Sequence, residues 1–218
     1  MLSLSAQAQK TWDFLDLSES IPLIEADDIN WNVDKYQTDV PIQWSNNIAF
    51  TEWSTLKANG EEIPATKGLM FIGDKGKLLF SISSKNKNYF KLNNNKAKIK
   101  ICNLKKGQKI TIVGVSGSKE EPRTFTAVEN LEVTSGMEPT LEEQTSEAKV
   151  MNDGDIVIGC TNAMNVYSIS LSADATGIAQ TTISKPSGND KFYTLDGKQV
   201  KPSHKGIIIA NGKKYTNK

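Results

Sequence analysis

Few side chains in this 218-residue chain could do acid–base or nucleophilic chemistry. The single histidine, His204, sits in the polar stretch Lys201-Pro202-Ser203-His204-Lys205-Gly206, where a solvated imidazole is the expected state. With that one imidazole assigned to a loop, neither a Ser-His-Asp relay nor a histidine-rich metal site can be built within the chain. Glycoside hydrolysis needs two carboxylates facing each other across a substrate. Glu61-Glu62, Glu120-Glu121 and Glu142-Glu143 are instead adjacent residues in polar loops, where solvated charge is the ordinary use. Asp27-Asp28 and Asp153-Gly154-Asp155 offer hard oxygen ligands suited to calcium, but the second reads as a turn and no loop has EF-hand spacing. The expectation is a protein that is not an enzyme and holds no cofactor and no metal.

Cys102 and Cys160 lie in the apolar runs 99–104 and 156–160, and neither has a second Cys or a His at ligand spacing. If those runs are neighbouring strands in an oxidising compartment, the two form a candidate disulfide. Buried free thiols acting as small hydrophobes are the alternative.

Binding chemistry is better represented. Sugar recognition uses flat aromatic faces against the apolar side of a pyranose, with a few placed polar groups for its hydroxyls. Trp31, Tyr36, Trp44 and Trp53 fall within one short segment that also carries Gln43 and Asn46, together with Asn30, Asn32, Asn47 and Glu52. These make the candidate glycan contacts Trp31, Tyr36, Trp44, Trp53, Gln43 and Asn46. Trp44 and Tyr36 lead, because each has polar neighbours on both sides in a stretch with little β periodicity. The competing reading is that a tryptophan is highly buried on average. Trp12 and Phe14, alternating with Asp13, read as core residues of a first strand.

The elements that must position these residues are strands. Short apolar or alternating runs break repeatedly at Gly, Asn, Asp, Ser or Pro, as in a sandwich or barrel. Strands are expected near 68–71, 77–82, 89–92, 98–103, 109–115, 124–127, 132–133, 148–151, 154–160 and 166–171. Helical turns are expected within 18–28 and within 138–146. Turn signals at Lys105-Lys106-Gly107-Gln108 and at 162–165 suggest two hairpins, one joining 99–104 to 109–115 and the other closing 156–160 on 166–171. After Leu171 the composition turns to Ser, Ala, Thr, Gly, Pro and Asn, as in a linker. Two further hairpin units then follow, around Asp196-Gly197 and Asn211-Gly212.

Charge narrows the partners. With 26 basic against 25 acidic residues spread along the chain, no electrostatic footprint favours nucleic acid. No apolar run approaches the ~18 residues of a membrane span, so no transmembrane segment is expected. Ala6 and Ala8 before Gln9 form the small-residue pair of a signal-peptidase site, which makes 1–8 the expected remnant of a signal peptide.

The residues Phe192-Tyr193-Thr194-Leu195-Asp196-Gly197-Lys198-Gln199-Val200 and Lys205-Gly206-Ile207-Ile208-Ile209-Ala210-Asn211-Gly212-Lys213-Lys214 resemble the C-terminal sorting-type domain of exported Bacteroides and Prevotella proteins. Ile208 stands where that family commonly has Tyr. Lys10-Thr11-Trp12-Asp13-Phe14, Lys67-Gly68-Leu69-Met70-Phe71, Asn103 to Thr111 and Asp153 to Ser172 are similar to a non-catalytic jelly-roll domain. That domain recurs in secreted Bacteroidetes proteins beside pectate-lyase-like modules. The resemblances imply an all-β protein, a galactose-binding-like jelly-roll β-sandwich over 9–172, a linker over 173–190 and a small C-terminal β-hairpin unit over 191–218. They imply a secreted or cell-surface location and a carbohydrate-binding or adhesion role towards a polysaccharide or other glycan. The alternative is an assembly protein that pairs its sandwich edges with a protein partner.

Overall fold

Alternating apolar residues on short segments leave each strand one face to bury, and the chain meets that need with two stacked antiparallel sheets. The computed structural model describes residues 9–34, 42–83, 87–173, 192–194, 196–201, 206–210 and 213–217. Its elements begin with β1 (Lys10–Asp13), helix α1 (Ile21–Glu25), β2 (Trp31–Asp34), β3 (Ile42–Asn46), β4 (Phe50–Ser54), β5 (Lys57–Ala58) and β6 (Glu61–Glu62). A 3-10 turn at Pro64–Thr66 leads to β7 (Met70–Gly73), β8 (Leu78–Ile82), β9 (Tyr89–Leu92), β10 (Lys98–Leu104), β11 (Lys109–Ser116) and β12 (Phe125–Glu129). Then come β13 (Leu131–Ser135), β14 (Gln144–Val150), β15 (Gly154–Cys160) and β16 (Met164–Leu171). The last four strands are β17 (Phe192–Tyr193), β18 (Gln199–Val200), β19 (Gly206–Ala210) and β20 (Lys213–Asn217).

The larger sheet runs β13-β14-β11-β16-β9-β8-β3-β2, and β1 pairs with β16. The smaller runs β12-β15-β10-β7-β4. The protein is therefore all-β, a two-sheet sandwich with one short α-helix among the described residues. Between the sheets lies a single apolar cluster whose members all fall between Trp12 and Leu171. Phe90 centres its aromatic part, with ring centroids 5.4 Å from Phe14, 5.3 Å from Phe71 and 5.0 Å from Phe80.

Both expected sandwich hairpins are overturned. The Lys105–Gln108 turn forms, with Gly107 at φ +89 and the Gln108 amide donating to the Lys105 carbonyl at 3.1 Å. Yet β10 pairs with β7 and β15 in the smaller sheet, while β11 pairs with β14 and β16 in the larger. Likewise β15 belongs to the smaller sheet and β16 to the larger. Each turn is an arch between sheets. An arch brings Ile99 and Ile101 of one strand to face Ile110 and Ile112 of the next across the core, which a hairpin within one sheet cannot do. The helix expected within 138–146 is also absent, because Gln144 opens β14 and turns inward with Ser146, Ala148 and Val150. The helix within 18–28 is present as α1, although the Ser20 hydroxyl accepts the Ala65 amide at 3.0 Å instead of capping it.

The chain divides into two compact units, Met1–Ala175 and Thr176–Lys218. Described by itself, the second is a four-stranded sheet of order β18-β17-β19-β20. Its β17–β18 hairpin is the one expected around Asp196-Gly197, and β19 pairs antiparallel with β20, while Asn211 and Gly212 lie outside the described residues.

Candidate functional site

The segment read as a loop-borne aromatic platform is three strands, and this relocates most of its side chains. Trp31 on β2 is 1% exposed, and its indole Nε1 donates to the Lys57 carbonyl at 2.9 Å. Trp44 on β3 is also 1% exposed and belongs to the core cluster. Neither ring can meet a sugar. Asn46 is a structural residue: its Nδ2 donates to the carbonyls of Ile48 and Asp74, and its Oδ1 accepts the amides of Lys77 and Leu78. Those four bonds saturate its amide and leave nothing for a ligand. Trp53 is half-buried on β4 of the smaller sheet, with the Lys100 ammonium 5.0 Å from its ring centroid, so it does not share a sheet with Gln43. Tyr36 lies outside the described residues, as does His204. Gln43 is partly exposed on the outer face of β3.

That outer face of the larger sheet gathers the groups a saccharide site needs. Strand register sets Gln43 opposite Ser81, and Ser81 opposite Tyr89. The Gln43 amide Nε2 donates to the Tyr89 hydroxyl at 2.9 Å. Phe90 and Val166 are paired and point into the core, so their neighbours Tyr89 and Tyr167 turn outward side by side. A β-bulge helps place Tyr167: Val113 pairs with Ser168 and Gly114 with Val166, leaving Tyr167 as the extra residue. Gly114 is required there, because a Cβ would sit 2.4 Å from the Asn165 carbonyl oxygen and 2.7 Å from the Phe125 ring. One residue pair further along, Leu79, Lys91, Asn165 and Val115 form a second row across β8, β9, β16 and β11. Tyr89, Lys91, Asn165 and Tyr167 are all partly exposed, while Leu79 and Ser81 form a buried floor.

Unused hydrogen-bonding capacity concentrates on this face. Among the described residues four buried side-chain polar atoms lack a partner, and two of them, Ser81 Oγ and Asn165 Oδ1, lie here. The Arg123 Nε is a third such atom, and this arginine acts electrostatically on Lys91. The fourth, Trp44 Nε1, is in the core. Burial, and then the positive charges of Arg123 and Lys77, hold the Lys91 ammonium below the usual lysine value. Beside Tyr167, Lys87 lies 4.9 Å from the ring centroid and bonds Glu143 at 2.5 Å. Burial and the Glu143 charge push the Tyr167 phenol up.

The other features singled out by residue type are spent on the fold. Asp27 is 3% exposed and accepts hydrogen bonds from the Asn30 amide, the Asn30 side chain and the Asn59 amide. Asp153 accepts the Lys106 amide and Asp155 the Asn103 amide, which fixes two turns. The cysteines are free. Their strands β10 and β15 are neighbours, but Ile99 pairs with Ile158 and Ile101 with Ile156. That register sets Cys102 and Cys160 about five residues apart along the ladder, or ~16 Å, against the ~4.4–6.8 Å between Cα atoms that a disulfide spans. They also occupy opposite faces, since Cys160 is in the core cluster and Cys102 alternates with inward Ile101. The candidate disulfide is thus corrected to two separate thiols. Burial pushes the Cys160 thiol up to about 12. A cleft of about 530 Å³ lies beside Trp12, Ser20 and Lys67, but its Trp12 Nε1, Lys10 Nζ and Ser20 Oγ are already bonded to backbone.

No group of three or more His, Cys, Asp or Glu side chains placed to hold a metal ion occurs among the described residues. No helix among them is long and apolar enough to cross a membrane. No protein-family model matches the chain, and no curated protein matches it either.

Proposed function

We propose that this protein is an exported, non-catalytic carbohydrate-binding or adhesion module with a jelly-roll sandwich as its scaffold, and that it contacts glycan through the outer face of its larger sheet. The observation that carries this reading is the adjacent outward pair Tyr89 and Tyr167, with the Gln43 amide and the unpartnered Ser81 Oγ and Asn165 Oδ1 around it. The partly exposed rings supply apolar area, and the Gln43 amide and the two phenol hydroxyls are the polar groups placed for sugar hydroxyls. Export rests on the resemblance of the C-terminal unit to sorting-type domains.

A glycan array probed with wild type, Tyr167→Ala and Gln43→Ala tests it. Wild type binds at least one glycan class, and Tyr167→Ala weakens that binding about tenfold, the equivalent of ~1.4 kcal/mol. Absence of binding to every plant, host and bacterial glycan removes the reading. Trp44→Ala is unsuitable as a probe, since emptying that core position costs ~3–5 kcal/mol of stability.

The assembly-protein reading would use a sheet edge. Among the edges, β13 is open along Glu132–Ser135, but its pairing with β14 is bulged between Val133 and Ser135. A bulge twists an edge away from strand addition, which counts against this alternative. A stoichiometric protein partner in a pull-down would favour it.

A further inference from the structure

We infer that the glycan taken by this face is acidic, and that Lys91, flanked by Asn165 and backed by Arg123, receives its anionic substituent; this rests on the glycan reading above. Lys91 projects from the middle of the larger sheet, with Leu79 on one side and Asn165 on the other. At such a position the cross-strand Cβ atoms stand only ~4.5–5.5 Å away, so Asn165 is within reach of any group that Lys91 holds. Drawing an ammonium partly out of water costs free energy that a counter-charge offsets, and Lys91 is partly buried. Among the described residues the Lys91 ammonium has no hydrogen-bond or ion-pair partner.

The charged groups that act on Lys91 are both cations, Arg123 and Lys77. Glu143 is paired with Lys87, and Glu121 with an Arg123 terminal nitrogen at 2.6 Å. The Arg123 guanidinium is left with its Nε–H unused, and Asn165 with its side-chain oxygen unused. A saccharide carboxylate or sulfate meets this arrangement on each count. Its oxygens accept from the partly exposed Lys91 ammonium, in a neighbourhood that the charges of Arg123 and Lys77 make positive, and the Asn165 side chain stands beside it on the paired strand. The pyranose body then lies along the row towards Tyr89 and Tyr167, one residue pair away on the same face. A neutral glycan satisfies the hydroxyl acceptors but leaves the Lys91 ammonium without a counter-charge.

The test is calorimetric titration of the full chain with four probes. They are a hexuronate tetrasaccharide, its carboxyl methyl ester, a sulfated galactan tetrasaccharide and its desulfated counterpart. The expected result is that one acidic probe binds at least tenfold more tightly than its neutral counterpart. Whichever acid gains this preference identifies the substituent as carboxylate or sulfate. In Lys91→Met the gap falls below twofold, while thermal stability stays equal or rises because an unpaired ammonium has been removed. Asn165→Asp, which places a carboxylate beside Lys91, likewise abolishes the preference for the acidic probe. Equal affinity for acidic and neutral probes overturns this inference and leaves the glycan reading standing. A preference that survives in Lys91→Met also overturns it. Binding of none of the four probes by a wild type that does bind another, neutral glycan overturns the inference alone, and failure to bind any glycan overturns both.

Discussion

Asn46 and Asp27 illustrate what a polar side chain in a β-protein is ordinarily for. Each carries the residue type of a ligand contact, and each is consumed by backbone groups that the sheet ladders do not reach. For Asp27, burial opposes the ionised form, and hydrogen bonds from Asn30 and Asn59 outweigh it, so the carboxyl is held below its ordinary value of 3.8. The sign of the linkage follows. A carboxyl whose folded pKa is depressed contributes stability that is fully present above the unfolded value and is lost as pH falls through the folded one. Asp27→Asn is therefore expected to cost ~1–3 kcal/mol at neutral pH, the penalty for disturbing buried hydrogen bonds. It should also flatten the decline in stability below pH 3.8. Urea unfolding at stepped pH measures both, and parallel acid limbs for wild type and variant would rule out Asp27 as the titrating group.

Three strands and one bulge account for where the aromatic rings went. β2, β3 and β4 occupy a segment whose sequence lacks clean alternation, and Trp31 and Trp44 fall on their inward faces. Conversely, simple two-residue periodicity through Ile169 and Leu171 would carry Tyr167 into the core with them. The extra residue on β16, opposite the Val113–Gly114 step, shifts the phase and leaves both Tyr167 and Ser168 outside. Gly114 makes that bulge possible by admitting the Asn165 carbonyl where a side chain would stand. Gly114→Ala is expected to lower stability by ~1–3 kcal/mol, as overpacking does. It should also weaken binding at Tyr167 and Asn165, because the contact it disturbs is backbone. Thermal unfolding and glycan titration of the variant check the two effects, and an unchanged melting curve would contradict this role for the glycine.

At the level of the whole molecule, every residue of the apolar cluster precedes Ser172, so the sandwich owns its core. Truncation after Ala175 is expected to leave the unfolding midpoint within about 3 °C of the full chain, less than ~1 kcal/mol. Calorimetry of the two forms reads this directly. Loss of the cooperative transition on truncation would mean that the C-terminal unit completes the fold.

The sequence alone determined the class and the local punctuation. Strands β9 and β15 sit where side-chain pattern placed them, the Gly107 turn forms, and the first tail hairpin closes around Asp196-Gly197. These are properties of short windows, set by side-chain period and by positive φ at glycine. Only the tertiary structure decided which sheet each strand joins, since a turn reverses the chain without specifying whether the next strand pairs beside its predecessor or packs across the core. It also decided the site. Of the six residues proposed from composition, Gln43 belongs to the outer face, whereas Tyr89, Lys91, Asn165 and Tyr167 are distant in sequence and assembled by strand pairing. Their common face exists only once β8, β9 and β16 are in register.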